Sequence, residues 1–200
     1  IQTLLLTVLT LSVERYFTIR ASFGRMKLSK FVEQIKDALN NGDLGKAQEL
    51  CDKQRGSVAN VVSSTLRKYR EMEKTNDLTK EQKVLAIQKE LEEATALELP
   101  MMQQNLPIIA TITTLGTLMG LLGTVIGMIR SFAALSAGGG TDSVALSTGI
   151  SEALINTAFG ILTGALAVIS YNYYTNKIDK LTYSLDEVGF SIVQTFASTH

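Results

Sequence analysis

Two long apolar runs joined by a glycine-rich turn leave few folds open to this sequence. The first, residues 106–129, carries no charged side chain until Arg130. The second, residues 153–176, carries none until Lys177, and Glu152 stands at its head. Residues 138–142, Gly-Gly-Gly-Thr-Asp, fall between them. The apolar core of a bilayer, about 30 Å thick, takes roughly 20 residues of helix. Backbone in lipid must satisfy its own hydrogen bonds, which a helix does. The two runs are therefore expected to be antiparallel transmembrane helices with a short turn outside.

Neither run reads as plain lipid filler. Gly116, Gly120, Gly123 and Gly127 recur along the first, with Thr113 and Thr124 near the same stripe. Small residues at such spacing let helix backbones approach closely, and packing is what holds membrane helices together. The second helix carries Ser151, Glu152, Asn156, Thr157, Thr163 and the packing candidates Gly160 and Gly164. A carboxylate at mid-membrane costs about 2.5–3.5 kcal/mol, which makes Glu152 a candidate functional group. Thr148 and Asn156 share its face at i−4 and i+4. Thr157 does not: five residues rotate a helix to an offset of about 140° from the start. The two cannot both point straight into one lumen. Arg130 either snorkels outward, pairs with a partner's carboxylate or takes part in ion transfer.

Charge divides the chain. Charged residues crowd into 14–98 and almost vanish from 99–176, while the formal net charge is zero. Nothing suggests a nucleic-acid binder. A single cysteine, Cys51, excludes an internal disulfide. The only histidine is His200, so a histidine metal cluster and a Ser-His-Asp triad are both excluded. No cofactor or metal is expected.

Residues 1–13 are apolar but, at about 20 Å of helix, too short to span. They are expected to be the end of a first span whose beginning precedes Ile1. Arg15, Arg20, Arg25, Lys27 and Lys30 follow, and basic flanks mark the cytoplasmic side. Phe31, Val32, Ile35, Ala38 and Leu39 recur at helical spacing up to Asn40-Asn41-Gly42. Leu44, Ala47, Leu50 and Cys51 predict a second helix, and Val58, Val61, Val62, Leu66 and Tyr69 a third. Residues 70–77 read as a charged turn. Thr79 and Gln82 form a capping-box signature for a helix through Val84, Ile87, Leu91 and Ala94. Pro100 and Pro107 predict a bend where that helix approaches the membrane. Tyr171, Tyr173 and Tyr174 fit an interfacial aromatic belt. Leu181, Leu185, Val188, Ile192 and Phe196 predict an amphipathic terminal helix, packed on a neighbour or on the helix after Thr79.

The expected fold is thus all-α, an integral membrane protein of three transmembrane helices whose long helices extend into a helical cytoplasmic domain. Its parts are a partial first span (1–13), a cytoplasmic helical domain (14–99) and a second span with its approach (100–136). A periplasmic turn (137–143), a third span (144–176) and a cytoplasmic C-terminal helix (177–200) complete it.

The block from Gly120 to Phe132, GLLGTVIGMIRSF, resembles the ExbB/TolQ family of proton-channel subunits. The block from Ile150 to Gly160, ISEALINTAFG, resembles the matching part of that family's third membrane helix, and AVISYN from Ala167 continues it. The resemblance implies a proton pathway at Thr124, Glu152 and Thr157. It implies a homopentameric ring around two helices of an ExbD/TolR-type partner whose membrane aspartate takes and releases protons. It further implies a TonB/TolA-type transducer, location in a bacterial inner membrane, and work driven by the proton motive force. The family often has proline where this chain has Thr117, and Ile-Pro-Ala where it has Ala165-Leu166-Ala167, so a straighter third helix is expected. A MotA-like stator subunit and a non-conducting membrane scaffold are the competing readings.

Overall fold

The computed structural model describes residues 1–137 and 143–199, so the glycine-rich turn and His200 lie outside the described residues. The described residues are all-α. Seven helices follow one another: α1 (Gln2–Ser22), α2 (Leu28–Asn40), α3 (Leu44–Gln54), α4 (Ser57–Lys74), α5 (Lys80–Gln103), α6 (Leu106–Ala137) and α7 (Ser143–Thr199). The chain divides into two compact units. One comprises Ile1–Arg15 and Asn105–Tyr174; the other comprises Tyr16–Gln104 and Thr175–His200.

The first unit is built on an antiparallel pairing of α6 with the first part of α7. Both helices are long and apolar enough to cross a membrane. Their large apolar side chains face outward: Leu118, Leu121, Val125, Ile129 and Phe132 on α6, and Leu154, Ile155, Ile161, Leu162 and Ile169 on α7. So continuous an apolar exterior suits lipid and not water. Polar contacts tie the remaining segment to this pair. The Tyr174 hydroxyl donates to the Ser12 carbonyl at 2.5 Å. Asn105 Nδ2 donates to Glu14 Oε2 at 3.3 Å. The buried Arg15 guanidinium pairs with the Glu14 carboxylate.

The second unit has a conventional buried core. Phe31, Val32, Ile35, Ala38 and Leu39 line the inner face of α2, and Val58, Val61, Val62, Leu66 and Tyr69 that of α4. Ala47 and Cys51 of α3 are buried, whereas Leu50 is half-buried. The end of α7 closes this core with Leu181, Leu185, Val188, Ile192 and Phe196, all buried. Tyr69 and Phe196 stack edge to face with ring centroids 4.8 Å apart. Lys36 reaches Glu187 at 2.5 Å. Gly189 lies against Leu91, which brings the terminal segment onto α5, one of the two packings expected for it.

Three boundaries differ from the sequence reading. The expected charged turn starts later, because α4 continues through Lys74. Residues 70–74 contain no glycine or proline, Met72 is buried, and the Lys68–Glu71 pair at 3.0 Å supports the last turns. The approach to the apolar hairpin is two helices and not one bent helix. It breaks at Asn105, whose φ of +64° lies in the left-handed region that asparagine tolerates best after glycine. Pro100 sits inside α5, and Pro107 in the first turn of α6, where a missing N–H costs nothing. Finally, α7 runs without interruption past residue 176, since no glycine or proline separates Gly164 from Gly189. The capping box at Thr79 and Gln82 is formed as expected.

Candidate functional site

Small residues set the register between α6 and α7. Gly116 meets Thr163 and Gly164, Gly120 meets Gly160, Gly123 meets Asn156, and Gly127 meets Ala153. Where backbone meets backbone, a Cβ on Gly160 would lie 2.6 Å from the Gly120 Cα and 2.8 Å from the Gly116 carbonyl oxygen. Backbone stands against backbone there, with no side chain able to move aside. A Cβ on Gly164 would lie 2.8 Å from the Thr113 carbonyl oxygen.

One turn from this backbone contact the seam holds two hydroxyls. Thr124 Oγ1 and Thr157 Oγ1 are 2.8 Å apart, each half-buried. Thr124 Oγ1 also reaches the Leu121 carbonyl at 2.9 Å and the Gly120 carbonyl at 3.2 Å. Thr157 Oγ1 reaches the same Gly120 carbonyl at 3.2 Å. Each hydroxyl has one proton to donate and two lone pairs. Two protons therefore have more acceptors than they can use. The pair can rearrange its hydrogen bonds without moving a heavy atom, and it retains lone pairs for an incoming donor.

Glu152 is not part of this seam. It is exposed on α7, as are Thr148 and Asn156, whose shared face was expected. Asn156 is the link between the two sets. Its side chain begins at the seam, where a Cβ on Gly123 would lie 2.9 Å from its own Cβ, yet the residue is exposed. Thr148 donates to the Val144 carbonyl at 2.9 Å. Arg130 is exposed, and among the described residues neither it nor Glu152 forms an ion pair within the chain. The chain thus joins two of the three expected pathway residues directly and turns the third outward.

The sequence reading missed the end of the seam nearest the end of α6 and the start of α7. Ser131 is buried and donates to the Gly127 carbonyl at 2.9 Å. Gly149 packs on it so closely that a Cβ there would lie 2.0 Å from Ser131 Oγ. Both continue the small-residue spacing of their helices, from Gly127 to Ser131 and from Gly149 to Ala153. Reading serine and alanine with the glycines would have found them.

Two apolar helices held together by glycines, with large side chains outward and hydroxyls kept at the seam, define a helical membrane protein with a polar hairpin interior. A model of the MotA/TolQ/ExbB proton channel family matches residues 56–187, and the chain belongs to that family. The family is one of channel components and not of enzymes. An ExbB-like biopolymer transport protein of Synechocystis sp. is 38% identical over 86 residues, covering 42% of this chain and 41% of that protein. An ExbB homologue of Methanothermobacter thermautotrophicus is 26% identical over 157 residues, covering 78% and 51%. The Tol-Pal system protein TolQ of Haemophilus influenzae is 33% identical over 104 residues, covering 46% of each. The chain thus spans about half the length of these relatives, or less.

Proposed function

We propose that this chain is a ring-forming subunit of a proton-driven motor in a bacterial inner membrane, working through an ExbD/TolR-type single-span partner. The observation that carries this reading is the Thr124–Thr157 hydroxyl pair inside an otherwise apolar hairpin, with Glu152 outward on the same helix. Copies of the chain, five in the ring that the resemblance implies, place these groups around a polar, hydrated lining. The large helical region and the C-terminus lie on the cytoplasmic side.

In this mechanism Glu152 faces the ring lumen or a subunit seam. Thr124 and Thr157 accept and pass on hydrogen bonds but hold no charge. The partner's aspartate carries the proton. Its neutralisation changes which part of the ring the partner helix prefers, and the partner shifts. One charge moving down ~180 mV releases roughly 4 kcal/mol per proton. The partner hands that work to an envelope transducer of TonB/TolA type.

The test is proton flux into liposomes holding this chain with and without its co-purified partner. Flux that needs the partner, and that falls at least about tenfold in Glu152→Gln and Thr157→Ala, is the expected result. Unchanged flux in both variants removes the assignment of these residues. A second reading, a non-conducting scaffold, is favoured by one observation: both threonine hydroxyls find acceptors within their own hairpin. It predicts no flux from well-folded rings with any partner.

A further inference from the structure

A basic surface at the start of the second unit serves the reading above only as a mark of sidedness. Arg20, Arg25, Lys27 and Lys30 are all exposed, and no acidic residue occurs between Glu14 and Glu33. None of the four forms an ion pair among the described residues. A chain of zero net charge has concentrated unmatched positive charge in one short stretch of sequence. Two exposed aromatic residues stand beside it. Tyr16 and Phe17 meet edge to face at 5.6 Å, and Arg20 donates to the Tyr16 hydroxyl at 3.3 Å.

The loop that bears Arg25 and Lys27, between α1 with Arg20 and α2 with Lys30, is fixed. The fully buried Gln54 side chain donates to the carbonyls of Phe23, at 2.7 Å, and Met26, at 3.3 Å, and accepts from the Met26 N–H at 2.9 Å. Its own backbone carbonyl accepts from the Arg25 N–H at 2.9 Å. Gly24, at φ +76°, packs so tightly that a Cβ would lie 2.3 Å from the Arg55 carbonyl oxygen. A loop held this firmly presents its charges without an ordering cost at the moment of binding.

We propose that Tyr16, Phe17, Arg20, Arg25, Lys27 and Lys30 form a docking surface for the headgroups of anionic phospholipids. The inference rests on the membrane placement proposed above. Fixed cations attract the negative surface of a leaflet, and amphipathic rings settle at headgroup level. Exposed aromatics beside the charge, directly after an apolar run in the sequence, favour lipid over an acidic peptide.

The full chain would be placed in nanodiscs of mixed phosphatidylglycerol and phosphatidylcholine, and the lipids it retains on release counted by native mass spectrometry. The expected result is enrichment of phosphatidylglycerol by about fivefold or more at low salt, falling towards unity at high salt. It falls likewise in R20Q/R25Q/K27Q/K30Q and persists in the charge-conserving R20K/R25K/K27R/K30R. Equal enrichment in the glutamine variant, or enrichment indifferent to salt, overturns the proposal. Should the glutamine variant not fold, the salt titration of the unaltered chain decides. Displacement of the lipid by inorganic phosphate, or preferential capture of a labelled oligoglutamate peptide at equal charge concentration, also overturns it. A chain that conducts with its partner but shows no enrichment refutes this inference alone. A chain retained by no bilayer refutes the membrane placement beneath it.

Discussion

Thr157 lies five residues after Glu152 and ends on a different side of α7. Its hydroxyl reaches α6, where it meets Thr124, while the carboxylate stays outward. The angular offset was legible in the sequence; the identity of the hydroxyl's partner was not. If the two hydroxyls hold each other, their contributions should couple. Thr124→Val and Thr157→Val should each cost about 1 kcal/mol, and the double-mutant cycle should return a coupling near 0.6 kcal/mol in unfolding measured in detergent micelles. Strict additivity would mean that the 2.8 Å contact contributes nothing. Cys51 offers a second residue-scale test. Burial, with Asp52 adding negative charge nearby, pushes its thiol from an ordinary 9.0 up to about 12. The folded state therefore favours the protonated form. That contribution to stability is whole below about pH 9 and is lost as pH rises from there through 12. At pH 8 a thiol reagent should label the native chain at least about 100-fold more slowly than the unfolded one. Equal rates would place Cys51 outside the core.

At the scale of the element, the hairpin depends on backbone contact. Four glycines of α6 were legible as a packing stripe because their spacing keeps them on one face. Their partners on α7 could not be assigned, because spacing along one helix says nothing of the register against another. The seam fixes that register with Gly120 on Gly160. Gly160→Val should therefore destabilise the hairpin by about 3 kcal/mol or more, at the upper end of overpacking costs. Ala165→Val, on an exposed position of the same helix, should change stability by about 0.5 kcal/mol or less. Thermal unfolding followed by size-exclusion chromatography would separate the two. Similar midpoints would mean that the helices are not in backbone contact. The break at Asn105 belongs to the same scale. Two prolines announced an interruption, yet the residue that turns the chain is neither of them.

At the scale of the whole molecule, the second unit is discontinuous. Its core takes Phe31 from α2, Tyr69 from α4 and Phe196 from the far end of α7. A fragment of residues 16–104 lacks Leu181, Leu185, Val188, Ile192 and Phe196, and each large apolar side chain buried is worth about 1.5–3 kcal/mol. That loss, about 7.5–15 kcal/mol for the five, matches or exceeds most of the ordinary domain stability of about 5–15 kcal/mol. The fragment should be largely unfolded by circular dichroism and amide exchange. Joining residues 175–199 to it through a flexible linker should restore cooperative unfolding. A fragment that folds unaided would mean that the terminal segment only decorates the core.

By itself the sequence determined the all-α class, the two long apolar helices, the capping box at Thr79, the buried faces of α2 and α4, and membership of the channel family. These follow from periodicity, capping chemistry and the local blocks around Gly120 and Glu152, all of which are properties of neighbouring residues. Only the tertiary structure decided that α4 outruns its charged turn, that Gln54 pins the basic loop, and that Thr124 and Thr157 share a hydrogen bond from which Glu152 is excluded. Periodicity fixes which residues share a face. What covers that face depends on groups far away in the chain, whose approach is governed by backbone contacts that no single helix contains.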